Sequence, residues 1–355
     1  MKIAYYTIRF HTPAFLGSAE QGGQWRAPPF KAQLRQWWRM VFAATHDFKP
    51  DVRVMRREEG RLFGHAWLGD DVDECGAPVP ARKSLVRMRL GEWASGQMTS
   101  WTASKHRVSH PEVRQAVASD LYMGFGPLLL PSGSNNPVLK SGAAIQAGES
   151  TRYSLAYPEE HSQMIETALA LMNRFGTVGG RSRNGWGSFT LQPEGDTPSL
   201  PLATPLRPWG DALTLDWPHA IGSDAGKALI WQTHVCADWP ELMKALAILK
   251  IGLRTQFILN SGKNASQPEA RHWMAYPVTN HSVKTWEPNL RLPNSLRFKV
   301  SPAPDQANKL VGLIFHIPCL PPPRFKPDIA EIKGVWSKVH AFLDAPSQQL
   351  TRLTA

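Results

Sequence analysis

Cysteine is scarce. The chain of 355 residues has three, Cys75, Cys236 and Cys319, and they stand far apart. They form no CxxC pair and offer no disulfide framework, and a sparse, odd count suits a reducing, cytoplasmic setting. Long apolar runs are also lacking. No window offers about 18 uncharged apolar residues, which excludes a membrane-spanning helix. Met1-Lys2 is followed by only a short apolar stretch that Arg9 interrupts, unlike a secretory leader. Acidic residues are in deficit, with Asp+Glu 29 against Lys+Arg 40 and a formal net charge of +11. Such an excess points to a polyanionic partner, nucleic acid before an acidic membrane face. An interfacial membrane role would need an outward-facing basic amphipathic helix, and the first helix reads as too deeply apolar for it. Several catalytic signatures are missing as well: there is no GxSxG elbow and no P-loop spacing. His106 and His110 are spaced i, i+4 without the following glutamate of a zincin helix, and Pro111 argues against a helix there. No metal and no cofactor are expected.

What is present is an ordinary globular composition, 42% hydrophobic and 19% charged. The length favours two domains, each with enough apolar material for a core. Lys2 to Phe10 is rich in β-branched and aromatic residues and predicts a first strand. A helix is predicted from Pro28-Pro29, because Phe30, Leu34, Trp37, Trp38, Val41 and Phe42 recur on one helical face. The text from about residue 46 to 150 shows no sustained period. Tyr153 to Tyr157 reads as strand, and a second helix follows Pro158, carrying Ile165, Leu169 and Met172 and ending at Gly176. Phe189-Thr190-Leu191 resumes as strand. Prolines at Pro193, Pro198, Pro201, Pro205 and Pro208 suggest a linker. Beyond it, Ala228 to Cys236, Arg271 to Val278, Ser295 to Val300 and Lys309 to Ile317 read as strands. Asp238 is placed to cap a helix running through Lys250, with Glu241 as its capping-box partner. A last helix falls near Pro327 to Leu343. The expected division is 1–192 with an irregular insertion at about 46–150, a proline-rich linker at 193–211, and 212–355. The fold class is α+β, with helices on one face of mostly antiparallel sheets.

The most informative stretch runs from Gly176 to Gly187. It combines five glycines with Arg181, Ser182, Arg183, Asn184 and Trp186, and contains no acid. Glycine lets main-chain amides approach a ligand, arginine matches phosphate, and a tryptophan face can stack a base. The order helix, glycine loop, strand is the reverse of a dinucleotide fingerprint. On the first helix, Lys31, Arg35 and Arg39 stand at i, i+4 and i+8, with Arg26 just before it and Trp38 at the border of the apolar stripe. Further basic residues crowd the irregular region: Arg53, Arg56, Arg57, Arg61, Arg82, Lys83, Arg87, Arg89, Lys105, Arg107 and Arg114. They suit either an RNA path or a subunit-docking surface. Asp70-Asp71-x-Asp73-Glu74 reads as an exposed acidic loop, with a cation-holding cluster as the alternative. His11, at the end of the first strand, reads as a phosphate-contacting or structural residue, with a general base as the alternative.

Phe10-His11-Thr12-Pro13-Ala14-Phe15-Leu16-Gly17, then Arg26 to Arg39 (RAPPFKAQLRQWWR), then Leu62-Phe63-Gly64, then Gly179 to Gly187 form a succession that resembles the RAMP proteins of CRISPR systems. It looks most like the first-subunit family of type III-B (Cmr) effector complexes, densely over about residues 8–64 and 120–191. The resemblance implies two ferredoxin-like (RRM-like) domains packed together. It also implies a cytoplasmic, multisubunit antiviral ribonucleoprotein that uses a guide RNA to find target RNA. The partners would be guide RNA, target RNA and other RAMP subunits, with no membrane. The subunit would lie near the guide 3′ end and contact RNA without cutting it; the alternative is a RAMP-type endoribonuclease. Carried onto this sequence, Gly179, Gly180, Arg181, Ser182, Arg183, Asn184, Gly185 and Trp186 would line the RNA groove together with Arg26, Lys31, Arg35, Trp38 and Arg39. His11, Thr12, Phe15 and Gly17 would add weaker contacts. Family members often have a second glycine where Ser18 stands here.

Overall fold

Alternation decides the first strand. Ala4, Tyr6, Ile8 and Phe10 are buried while Ile3, Tyr5 and Arg9 are exposed, so Lys2–Phe10 presents one face to a core and one to water. In the computed structural model the described residues are 1–18, 22–66, 68–73, 75–113, 115–134, 136–201 and 204–354; Arg114 and Glu74 lie outside them. In chain order, the elements used below are β1 (Lys2–Phe10), α1 (Ala27–Thr45), α2 (Val52–Phe63), β2 (Arg87–Leu90), α3 (Ser119–Gly124), β3 (Ser150–Tyr157), α4 (Ser162–Phe175) and β4 (Phe189–Pro193). There follow β5 (Ile230–Gln232), α5 (Trp239–Thr255), α6 (Ala270–Met274), β6 (Leu296–Pro302), β7 (Leu310–His316), α7 (Ile329–Asp344) and β8 (Thr351–Arg352).

The α+β expectation is met. The chain forms two compact units, Met1–Ser100 with Ser141–Gly180 and Trp186–Pro205, and Trp101–Lys140 with Arg181–Gly185 and Leu206–Ala355. Both are discontinuous in sequence. In the first, the sheet runs β4-β1-β3-β2, all antiparallel, with Phe10 opposite Phe189 and Lys2 opposite Tyr157. Counting its strands in chain order, the sheet reads 4-1-3-2, with α1 after the first strand and α4 after the third. That is the split βαβ connectivity. In the second unit the sheet runs β6-β7-β5-β8, again antiparallel, with α5 after its first strand and α7 after its third. Read from β8, it is also 4-1-3-2.

The helices form where their apolar faces meet these sheets. In the first unit, Phe30 of α1 packs on Phe10, Tyr153 and Phe189 at ring separations of 6.3, 6.2 and 5.4 Å, and Trp37 meets Phe175 of α4 at 5.8 Å. Pro28 and Pro29 occupy the first turn of α1, where the missing amide hydrogens would have had no helical partner. In the second unit, Asp238 caps α5, accepting from the Glu241 amide at 2.9 Å. A Cβ at Gly312 would lie 2.9 Å from Leu246 of α5, so glycine lets that helix settle on β7.

Three local expectations are corrected. The run Arg271–Val278, read as strand, begins as α6. Glu269 and His272 form a reciprocal capping box there, and this local bonding overrides β propensity. The stretch Ala228–Cys236 is broken: Lys227–Ala228 and β5 belong to different sheets. Helix α2 arises within the aperiodic region, because its buried face mixes Met55, Leu62 and Phe63 with the carboxylate of Glu59. No helix among the described residues is long and apolar enough to cross a membrane.

Candidate nucleic-acid interface

In the first unit, the loop after β1 and the glycine loop after α4 are knitted by main-chain bonds. The Gly180 amide donates to the Phe15 carbonyl (3.0 Å), the Gly187 amide to Pro13 (2.9 Å) and the His11 amide to Ser188 (2.8 Å). The Ser188 amide donates to Thr12 Oγ1 at 3.0 Å. Two glycines are obligatory for this. Gly179 has φ +88° and a Cβ there would stand 2.7 Å from the Phe15 oxygen; Gly187 has φ +62° and its Cβ would stand 1.9 Å from the Val178 oxygen. Gly17 differs, since it is exposed and a Cβ there meets nothing within 4 Å. Arg26 donates from Nη1 to the Gly17 carbonyl. Exposed main chain at Gly17 and Gly179, with Gly180 beside it and an arginine fork at the edge, is the arrangement this unit offers to a phosphate.

Several residues proposed as contacts have other tasks. Trp186 is fully buried, with its ring 5.2 Å from that of Phe15, which is itself buried. Neither presents a face to a base in this conformation, because Gly185 and Gly187 turn the chain inward on either side of Trp186. Thr12 is buried and its hydroxyl holds Ser188. His11 is half-buried, with Nε2 2.9 Å from Thr190 Oγ1. Trp38 is 2% exposed, packed on Phe42 and Phe63 at 5.2 and 5.9 Å. Arg35 and Arg39 are not an isolated ridge. Arg35 Nε donates to Glu59 Oε1 at 2.6 Å, and Arg39 grips both oxygens at 2.8 Å. Lys31, Arg35 and Arg39 carry three positive charges against the single carboxylate of Glu59, so the face of α1 keeps a positive surplus. Burial, and then Arg35, hold the Lys31 ammonium below its usual range.

In the second unit, Arg181 to Gly185 are fastened at four points. Arg181 Nε donates to the Phe125 carbonyl at 2.5 Å, and Asn184 Nδ2 to the Met123 carbonyl at 2.8 Å. Lys250 Nζ donates to Asn184 Oδ1 at 3.0 Å, and the Phe298 amide to the Arg183 carbonyl at 3.0 Å. The glycine-rich segment is thus a stapled turn that leaves the Arg181 and Arg183 side chains exposed. Ser182 closes the turn, its carbonyl accepting from Gly185 at 3.1 Å. Next to Arg183 lies Arg297, buried, whose guanidinium is pushed down to about 9 by burial and by Arg183.

The acidic stretch is likewise not a uniformly exposed loop. Asp71 is buried, with Oδ2 2.7 Å from both His65 Nε2 and Arg82 Nε, while Arg61 Nε reaches Oδ1 at 3.4 Å. Arg82 foremost holds its carboxyl well below the usual carboxylate range.

No protein-family model matches the chain, and no curated protein matches it. Among solved structures, the chain is similar to Cmr1. The apo form of Cmr1 from Pyrococcus furiosus aligns over 95% of this chain and 97% of that one, with 16% identity and a TM-score of 0.45. A chain of the type III-B Cmr-beta complex bound to cognate target RNA and AMPPnP aligns over 96% and 99%, with 9% identity and a TM-score of 0.45. A chain of a type IV-B CRISPR complex aligns over 57% and 96%, with 13% identity and a TM-score of 0.35.

Reading the sequence missed Lys250, Arg254, Tyr122 and Arg297. The available signal was polar residues interrupting apolar runs: Lys250 and Arg254 at i, i+4 in α5, and Arg297 and Lys299 alternating in β6.

Proposed function

We propose that this chain is a non-catalytic RNA-binding subunit of a type III-B CRISPR ribonucleoprotein, a RAMP protein built on two ferredoxin-like domains. It contacts guide RNA, target RNA or both near the guide 3′ end, beside other RAMP subunits. The observation that carries the reading is the exposed main chain at Gly17 and Gly179, held in register by the Gly180–Phe15 bond and flanked by Arg26. The net charge of +11 and the sequence resemblance to the Cmr first-subunit family add to it. Phosphates are held here by amides and arginine forks, and base pairing within the guide–target duplex supplies specificity. His11 has a positioning role at Thr190 and no catalytic one.

The test is RNA binding across a salt series for wild type and Arg26→Ala/Arg183→Ala. Each lost phosphate contact should flatten the slope of log K against log[salt] by about 0.7 for a single strand. Unchanged affinity at every salt concentration refutes the reading. Incubation with repeat RNA and guide–target duplex, with and without magnesium, addresses the nuclease alternative. Site-specific cleavage that disappears in His11→Ala would replace the proposal.

A further inference from the structure

The second unit contains a concentration of positive charge that the glycine-loop reading does not use. Lys250 and Arg254 lie one turn apart on α5, and Arg181 reaches the same place from its turn. The Lys250 ammonium lies 5.6 Å from the Tyr122 ring centre, and Asn184 Oδ1 accepts from it at 3.0 Å. Asn184 is itself fixed, because its Nδ2 donates to Met123. Arg181 is anchored at the end of α3 by the Phe125 carbonyl, and its guanidinium lies over Gly126, where an added Cβ would stand 3.5 Å from Nε. The hydroxyl of Tyr122 is buried, close to Arg254, and has no partner in hydrogen-bond geometry among the described residues.

The surrounding charges do not balance. Facing this group are Arg271, His110 and one carboxylate, Glu112. Glu112 is held by Arg271, whose Nη1 and Nη2 both donate to it. Burial keeps His110 below its usual range, which favours the neutral ring. Among the described residues no carboxylate forms an ion pair with Lys250, Arg254 or Arg181. Three cations and a phenol, brought together by a helix, a turn and a neighbouring short helix, lack the anion that would balance them. Like charges held in a half-buried site repel, and an anion entering it relieves that repulsion.

We propose that Lys250, Arg254 and Arg181, with the Tyr122 hydroxyl, form a binding pocket for a phosphate group of an RNA strand. This deepens the RNA-binding reading above and rests on it for the source of the phosphate. The pocket has a chemical signature that surface arginines lack. Burial, followed by the charges of Arg254 and Arg181, pushes the free Lys250 ammonium down to about 7. Asn184 and Tyr122 are neutral, so no other group facing Lys250 offsets this. A phosphate would restore the ordinary ammonium, so binding above that pH takes up a proton and weakens as pH rises.

The experiment measures affinity of the full chain for fluorescein-labelled oligoadenylate with hydroxyl ends, between about pH 6.5 and 8.5 and across a salt series. Wild type should lose about 25-fold over that range. Lys250→Gln, which can still donate to Asn184, and Arg254→Gln should each weaken binding about tenfold near neutral pH and flatten the salt slope by about 0.7. Lys250→Arg should bind with a flat pH profile. If wild type binds RNA and these variants leave slope and pH profile unchanged, the pocket is refuted while the RNA-binding reading stands. If wild type binds no RNA, that reading falls, and nitrogen-15 NMR of the lysine ammonium groups decides the pocket alone. A raised Lys250 pKa on adding inorganic phosphate supports it, and an unmoved one refutes it. A 5′-phosphorylated oligoadenylate that binds no better than the hydroxyl-ended one assigns an internal phosphate, and one that binds more tightly assigns a terminal phosphate; either supports the pocket.

Discussion

Replacing Glu59 by Gln should lower stability and raise RNA affinity in the same protein. Glu59 is 3% exposed and takes three hydrogen bonds from Arg35 and Arg39. Removing one partner of a fully buried ion pair costs about 3–5 kcal/mol. Here the two arginine side chains are 37% and 41% exposed, so water re-solvates them and the cost falls to about 1–2 kcal/mol. The same change leaves Lys31, Arg35 and Arg39 uncompensated on α1. If that face meets a phosphate chain, one more charge becomes available, and the salt slope should steepen by about 0.7. Differential scanning fluorimetry reads the first effect and fluorescence anisotropy with labelled RNA across a salt series reads the second. A variant that loses stability and RNA affinity together, with an unchanged slope, would show that α1 serves packing alone.

Two further outcomes separate structural from contact roles. Gly179→Ala combines a positive φ with a Cβ 2.7 Å from the Phe15 oxygen and should cost about 1–3 kcal/mol, whereas Gly17→Ala meets open space and should stay within about 0.5 kcal/mol; paired urea melts decide. Asp71 has a folded-state pKa below its unfolded one, so its contribution is full above the ordinary carboxylate range and is lost as pH falls below it towards the folded value. The stability gap between wild type and Asp71→Asn should therefore be widest near neutral pH and shrink below about pH 4, as read by urea denaturation at several pH values.

Regular elements were legible where one period dominated. β1 spans the residues its β-branched and aromatic content indicates, and α1 begins one residue before Pro28-Pro29. α2 was hidden because its buried stripe includes Glu59, which counts as polar until Arg35 and Arg39 are seen to hold it. In the candidate interface, composition marked the glycine loop as special but not what each residue does. A tryptophan in a basic, glycine-rich segment suggests a stacking platform, yet Trp186 turns inward onto Phe15. Lys250 and Arg254 look in the sequence like ordinary breaks in an apolar helix. Only the meeting of α5 with Tyr122 and Asn184, distant in sequence, gives them a shared environment.

The borrowed turn at Arg181–Gly185 bears on how this polypeptide can be dissected. The Phe298 amide and the Lys250 ammonium find acceptors on residues more than sixty positions upstream, and Trp101 packs 6.0 Å from Trp239. A fragment starting at residue 206 would leave both donors unanswered and strip the covering from α5. Producing the later portion in isolation thus calls for grafting or circular permutation that carries 101–140 and 181–185 along with it.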